Sequence, residues 1–170
     1  RGFYHGEMNF RRYAWLTLAF TGLVILWGAY VRATGSGAGC GAHWPLCNGE
    51  VIPRVPGTAT VIEFAHRITS GLSLFVVLGL LIGSLSVFPR GHAARTGAAY
   101  SFLFILIEAA VGAGLVLLRL VNQDSSALRA GVLSIHLINT FLLLGALTWT
   151  ALAVDSGERL RRMGTPSWLA

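Results

Sequence analysis

Four apolar runs dominate the chain: about residues 13–31, 61–88, 97–121 and 128–154. Each has the length, about 20 residues, that a helix needs to cross the hydrocarbon core of a bilayer. A spanning segment must satisfy its backbone groups internally, and runs of this length without strict alternation do so as helices. The expectation is an all-α integral membrane protein, a four-transmembrane-helix bundle. One domain then occupies residues 1–170, with a long outer loop over 32–60. Composition agrees: 54% hydrophobic residues, 12% charged residues and a mean hydropathy of +0.65 leave too little polar surface to enclose a soluble core.

The formal charge of +6 comes from thirteen arginines, with no lysine, against seven acidic residues. Its placement speaks of topology and not of a nucleic-acid partner. Arg1, Arg11 and Arg12 precede the first run, Arg90 and Arg95 separate the second from the third, and Arg159, Arg161 and Arg162 follow the fourth. By the positive-inside bias these segments are cytoplasmic, so both termini face inward and the 32–60 loop faces outward. The opening stretch RGFYHGEMNFRR lacks the apolar core of a cleavable signal peptide. A multi-pass protein of the cell membrane, surrounded by lipid, follows. Trp15, Trp27, Trp44, Trp149 and Trp168 fall near helix ends or in flanking segments, as interfacial anchors do.

Residues 34–47 read TGSGAGCGAHWPLC, a glycine-rich polar stretch in the one long connection. A long loop in a compact helical protein is more often functional than idle. An outward location permits Cys40 and Cys47 to oxidise, against the alternative of two free thiols. A bridge closing so short a loop contributes about 2–3 kcal/mol at most, so shaping the loop or exchanging electrons with an external thiol is the better reason for one. His43, between the cysteines, and His5 and His92, in the inward segments, read as surface residues.

A short repeat joins the two halves. His66 and the eight residues after it match His136 and its followers at a His, an Ile, two small polar residues and two leucines. Each copy opens the second helix of a hairpin whose first helix ends near Arg32 or Arg119, which suggests a duplicated helical hairpin. The two histidines then lie roughly 8 and 12 Å below the outer boundary on parallel helices. Two imidazoles at similar depth suit the axial positions of a haem, whereas no third ligand stands at the spacing that a bare metal ion requires. The alternative is a pair of packing histidines.

Glu63 precedes His66 by one helical turn and shares its face. It reads either as solvated or paired with Arg67, or as a carboxyl beside a haem pocket that moves protons or stabilises a cationic intermediate. Arg67 either binds a haem propionate or extends to the interface. Glu108, deep in the third run, is expensive there unless paired or protonated, and no catalytic role is assigned to it.

Gly35-Ser-Gly-x-x-Cys40, then Trp44-Pro-Leu-Cys47-Asn-Gly and Ile62-Glu63-Phe-Ala-His66-Arg67, resembles the amino-terminal half of the heme A synthase family. His136 with Asn139-Thr140 resembles the second haem-ligand helix of that half. The resemblance covers roughly residues 15–155 and implies a haem-dependent oxidoreductase. Such an enzyme oxidises the ring-position-eight methyl of heme O to a formyl group, giving heme A for cytochrome oxidase. It further implies Glu63 as the catalytic carboxylate, His66 and His136 as axial ligands of the haem iron, and Cys40–Cys47 as a disulfide. The cofactor or substrate is haem b, heme O or both. The common family form has two such halves, so the one half read here implies either a short single-unit member that forms homo-oligomers, or a fragment or paralogue, a non-catalytic bis-His haem-binding or electron-transfer membrane subunit. Heme O synthase and an external thiol reductant are the further partners implied.

Overall fold

The computed structural model describes residues 2–121 and 125–162. Four helices run α1 Gly2–Ala33, α2 Thr58–Val87, α3 Ala93–Leu117 and α4 Ala127–Arg162, with a single 3₁₀ turn at Ser36–Ala38. All four are long and apolar enough to cross a membrane, over Met8–Ala33, Thr58–Val87, Ala93–Leu117 and Ala127–Asp155. The all-helical, four-span expectation therefore holds. Arg1 and Trp168 lie outside the described residues.

Neighbouring helices pack α1 on α2, α2 on α3, α3 on α4 and α4 on α1, which leaves α2 and α4 on a diagonal. Short connections make successive helices antiparallel, so α2 and α4 run in the same direction. α2 begins three residues earlier than the apolar run suggested and α4 one earlier. His66 is thereby the ninth residue of its helix and His136 the tenth of its own, roughly 12 and 14 Å from the helix starts. Counted from its own helix start, each histidine lies within about one residue of the other's position.

The helix ends follow local chemistry. α3 stops four residues before the apolar run does, because Leu120 N–H bonds to Leu115 O (2.9 Å) and Arg119 N–H to Val116 O (3.0 Å). That pair of bonds is a Schellman ending, with Arg119 at φ 56° in the position glycine usually takes. At the opposite end of the bundle residues 88–92 join α2 to α3, so α3 begins four residues before the apolar run that starts at 97. His92 caps α3 by accepting Ala94 N–H at Nδ1 (3.1 Å) and stacks on Phe88 with ring centroids 4.4 Å apart. Its ring is thus partly buried structure and not the solvated surface group the sequence suggested.

Packing is uneven along the bundle. The core cluster joins Phe10 and Ala14 of α1, Val77 and Leu80 of α2, Ala94 and Ala98 of α3, and Leu143, Leu147 and Ala151 of α4. All of these lie toward the end remote from the cysteine loop. Small residues let backbones approach there, as membrane helix contacts require. A Cβ on Gly97 would stand 3.2 Å from the Thr150 backbone, and one on Gly79 would meet the Tyr13 hydroxyl, which donates to Val76 O at 2.8 Å. Nearer the middle, the Thr21 and Ser73 hydroxyls pair at 3.0 Å between α1 and α2. Both histidines lie beyond this packed half, toward the loop.

Candidate haem site and its covering loop

The loop after α1 is built by the residues that made it conspicuous. Gly35, at φ 67°, turns the chain out of α1. Gly39 passes so close to α2 that a Cβ there would collide with the Ala59 carbonyl. Its own carbonyl accepts from Thr60 Oγ1 (2.8 Å) and Asn48 Nδ2 (3.2 Å). Gly37 has ordinary space around it and needs neither freedom. Cys40 and Cys47 form a disulfide, both sulfurs in fully buried residues. Cys47 and Glu50 exchange backbone bonds at 2.9 and 3.0 Å, and Asn48 N–H returns to Cys40 O at 3.0 Å.

This loop is tied to α2 on both sides of His66. Glu63 is 3% exposed, and its Oε2 accepts the Cys40 N–H at 2.7 Å. Its Oε1 accepts Arg67 Nε at 3.1 Å and Nη2 at 2.5 Å. Arg67 Nη1 in turn donates to the carbonyls of His43 (2.5 Å) and Leu46 (2.7 Å), both inside the disulfide ring. The pair one turn apart on α2 is therefore neither solvated nor reaching to the interface. Charge-assisted bonds of this kind are the stronger class, and a planar guanidinium suits them. His43 contributes its backbone, while its side chain stays exposed as expected.

His66 lies against α1: a Cβ on Gly28 would stand 2.9 Å from its Cε1 and 3.1 Å from its Nε2. His136 lies against α3, where a Cβ on Gly112 would stand 3.9 Å from its Cε1. Each imidazole thus rests over a glycine of the first helix in its hairpin. The Nδ1 atoms of both are buried and make no hydrogen bond among the described residues. Bare glycine backbone, buried unbonded imidazole nitrogens and two parallel diagonal helices suit a flat cofactor with two axial nitrogen positions. The residues fit a haem.

Two features escaped the sequence reading. Glu108 is not isolated: Oε2 accepts Asn139 Nδ2 at 2.6 Å, and Oε1 lies 2.6 Å from Thr140 Oγ1 and 3.4 Å from His136 Nδ1. Sequence separations of 28 (136 − 108), 31 and 32 positions hide these partners until the helices are packed. The second is a cavity of about 380 Å³ between α1 and α4 at the loop end. Arg32, Arg129, Ser126, Ser134 and Leu137 are among the residues lining it.

Residues 11–59 and 55–169 match the sequence pattern of the COX15-CtaA family, described as cytochrome oxidase assembly protein. The chain is 54% identical over 152 residues to a Thermus thermophilus protein named Protoheme IX farnesyltransferase, covering 89% of this chain and 25% of that one. It is 39% identical over 146 residues to Heme A synthase of Halalkalibacterium halodurans, covering 84% and 46%. With Heme A synthase of Exiguobacterium sibiricum it shares 35% identity over 147 residues, covering 86% and 47%. The chain therefore spans a quarter of the first of these relatives and just under half of the other two. No solved structure matches.

Proposed function

The chain belongs to the COX15-CtaA family of cytochrome oxidase assembly proteins, and from that membership we propose that it acts as a heme A synthase. In this reading it oxidises the ring-position-eight methyl of heme O to a formyl group. The observation that carries the proposal is the pair His66 and His136, at matched depth on diagonal parallel helices, beneath a disulfide loop bolted to α2.

In this reading His66 and His136 are the residues that would hold the haem iron. Bound haem supplies the redox chemistry that an unactivated methyl demands. The chain supplies position and cover. The Cys40–Cys47 loop, held by Glu63 and Arg67, shields the loop end of the pocket from water. Arg67 is committed to Glu63 and to two loop carbonyls, and Arg32, which lines the cavity between α1 and α4, is a further candidate to meet the propionates. Taking the methyl to a formyl group with oxygen from water releases electrons, which would leave through the haem to an external acceptor, and protons, for which Glu63, the carboxylate nearest in sequence to His66, would be the base. In this reading the protein works as a homo-oligomer, with the arginine-rich segments cytoplasmic and the cysteine loop outside.

The Thermus relative's name points to farnesyl transfer. That chemistry moves a diphosphate donor whose charge calls for carboxylates gathered around Mg²⁺. The acidic residues here are scattered singly along the chain. Oxidation is therefore the preferred reading.

A second reading, a non-catalytic bis-His haem or electron-transfer subunit, is favoured by one observation. Both oxygens of Glu63 are engaged by N–H donors, which suits a structural carboxylate. Co-expression with a heme O source, followed by analysis of the extracted haems, separates the two. The synthase reading expects heme A or its hydroxylated precursor from the native chain, and only heme O from Glu63→Ala with haem still bound. Unchanged heme O from the native chain leaves the non-catalytic subunit.

A further inference from the structure

Three residues of α4 converge on one carboxyl of α3. His136, Asn139 and Thr140 occupy positions i, i+3 and i+4, one face of the helix, and all three meet Glu108. Asn139 also donates to Phe104 O (2.9 Å), so its amide is held between two acceptors of α3. Thr140 Oγ1 lies 2.9 Å from the His136 carbonyl as well. Two short contacts would suffice to bind α3 to α4 and to neutralise the expense of a polar group at this depth. The third contact is of another kind. Glu108 Oε1 stands 3.4 Å from His136 Nδ1, just beyond hydrogen-bond geometry, and that nitrogen is buried with no bond of its own among the described residues.

A histidine that ligates a metal through one ring nitrogen usually donates the other N–H to a carboxylate or carbonyl, which fixes the tautomer and raises the basicity of the ligand. We propose that Glu108 is the positioning residue of the haem site, receiving the Nδ1–H of His136 so that Nε2 faces the iron. A small rotation of the imidazole closes the remaining gap, while Asn139 and Thr140 hold the carboxyl still. The two axial ligands are then unequal. His66 has no carboxyl partner of this kind: Glu63, one turn away, is committed to Arg67 and the Cys40 amide. Electron donation through His136 would hold the bound haem at a lower midpoint potential than two neutral, unassisted imidazoles would.

The inference rests on the haem reading, and the experiment keeps the two apart. The detergent-purified chain is loaded with haem b, and its low-spin spectrum and midpoint potential are compared with those of Glu108→Gln. The expected result is a retained bis-His spectrum with an upward shift of potential. A native chain with no bis-His spectrum overturns the haem reading itself. A bound, low-spin haem of unchanged potential in Glu108→Gln overturns only the role of Glu108. Should Glu108→Gln fail to fold, His136→Gly and His66→Gly are each reconstituted with imidazole and with 1-methylimidazole, which lacks the second N–H. A larger gap in potential between the two ligands at the His136 site than at the His66 site supports the inference, and equal gaps overturn it.

Discussion

The two hairpins are built to one plan and diverge in where each keeps its carboxylate. In the first, His66 of α2 rests over Gly28 of α1; in the second, His136 of α4 rests over Gly112 of α3. Counting back four residues from each glycine gives Val24 in α1 and Glu108 in α3. Counting back three from each histidine gives Glu63 in α2 and Leu133 in α4. Each hairpin thus has a carboxylate where the other has an aliphatic residue. The small polar pair after the histidine follows suit: Asn139 and Thr140 reach across to Glu108, whereas Thr69 turns back to carbonyls of its own helix, at 2.9 and 3.1 Å. One carboxylate fastens a lid and the other holds a neighbouring helix. The difference shows how a repeated scaffold acquires two separate duties by moving one charge.

The comparison breaks most completely at the histidines. His66→Ala and His136→Ala should each abolish the low-spin bis-His absorption of the haem-loaded chain. Retention in either variant would mean that the hairpins do not share one haem. A smaller effect separates the carboxylates. Glu63→Ala leaves Arg67 and the Cys40 amide without their buried acceptor, a loss of about 3–5 kcal/mol on the scale of broken buried pairs. Limited trypsin digestion should then cut at Arg54 faster in Glu63→Ala than in Glu108→Ala, which leaves every tie of the loop to α2 in place; equal rates would erase the division of labour. The finest test lies at the glycines. Gly28→Ala brings a methyl to 2.9 Å from the His66 ring and Gly112→Ala only to 3.9 Å from that of His136. Overpacking of the first kind costs about 1–3 kcal/mol. Haem dissociation should therefore quicken by roughly tenfold or more in Gly28→Ala and change little in Gly112→Ala, as read by transfer to apomyoglobin.

Much of the site was legible along the chain because its signals are local. His66 with Glu63 and Arg67 is one turn and a neighbour on a single helix, and the glycines and cysteines of the loop lie within fourteen residues. The loop partners of Arg67 were hidden for lack of geometry. Its partners include two backbone carbonyls more than twenty positions earlier, and carbonyls have no signature in a sequence. Glu108 was passed over for the same reason, since its meaning depends on a face of α4. His92 looked like a charged-turn residue because capping is a matter of backbone angle, here an extended φ of −68° with ψ of 134°.

The sequence by itself determined that the chain is a membrane helical bundle, because lipid enforces a single length and polarity on each spanning segment whatever its neighbours do. It also marked the histidines and the loop, whose residue types have few other uses in an apolar chain. The tertiary structure alone decided which helices stand on the diagonal, that the packed core lies away from the loop, and which buried polar group answers which carboxyl. Those choices depend on distances between segments far apart in the chain, and hydrogen bonds a few ångströms long exist only after the helices have packed.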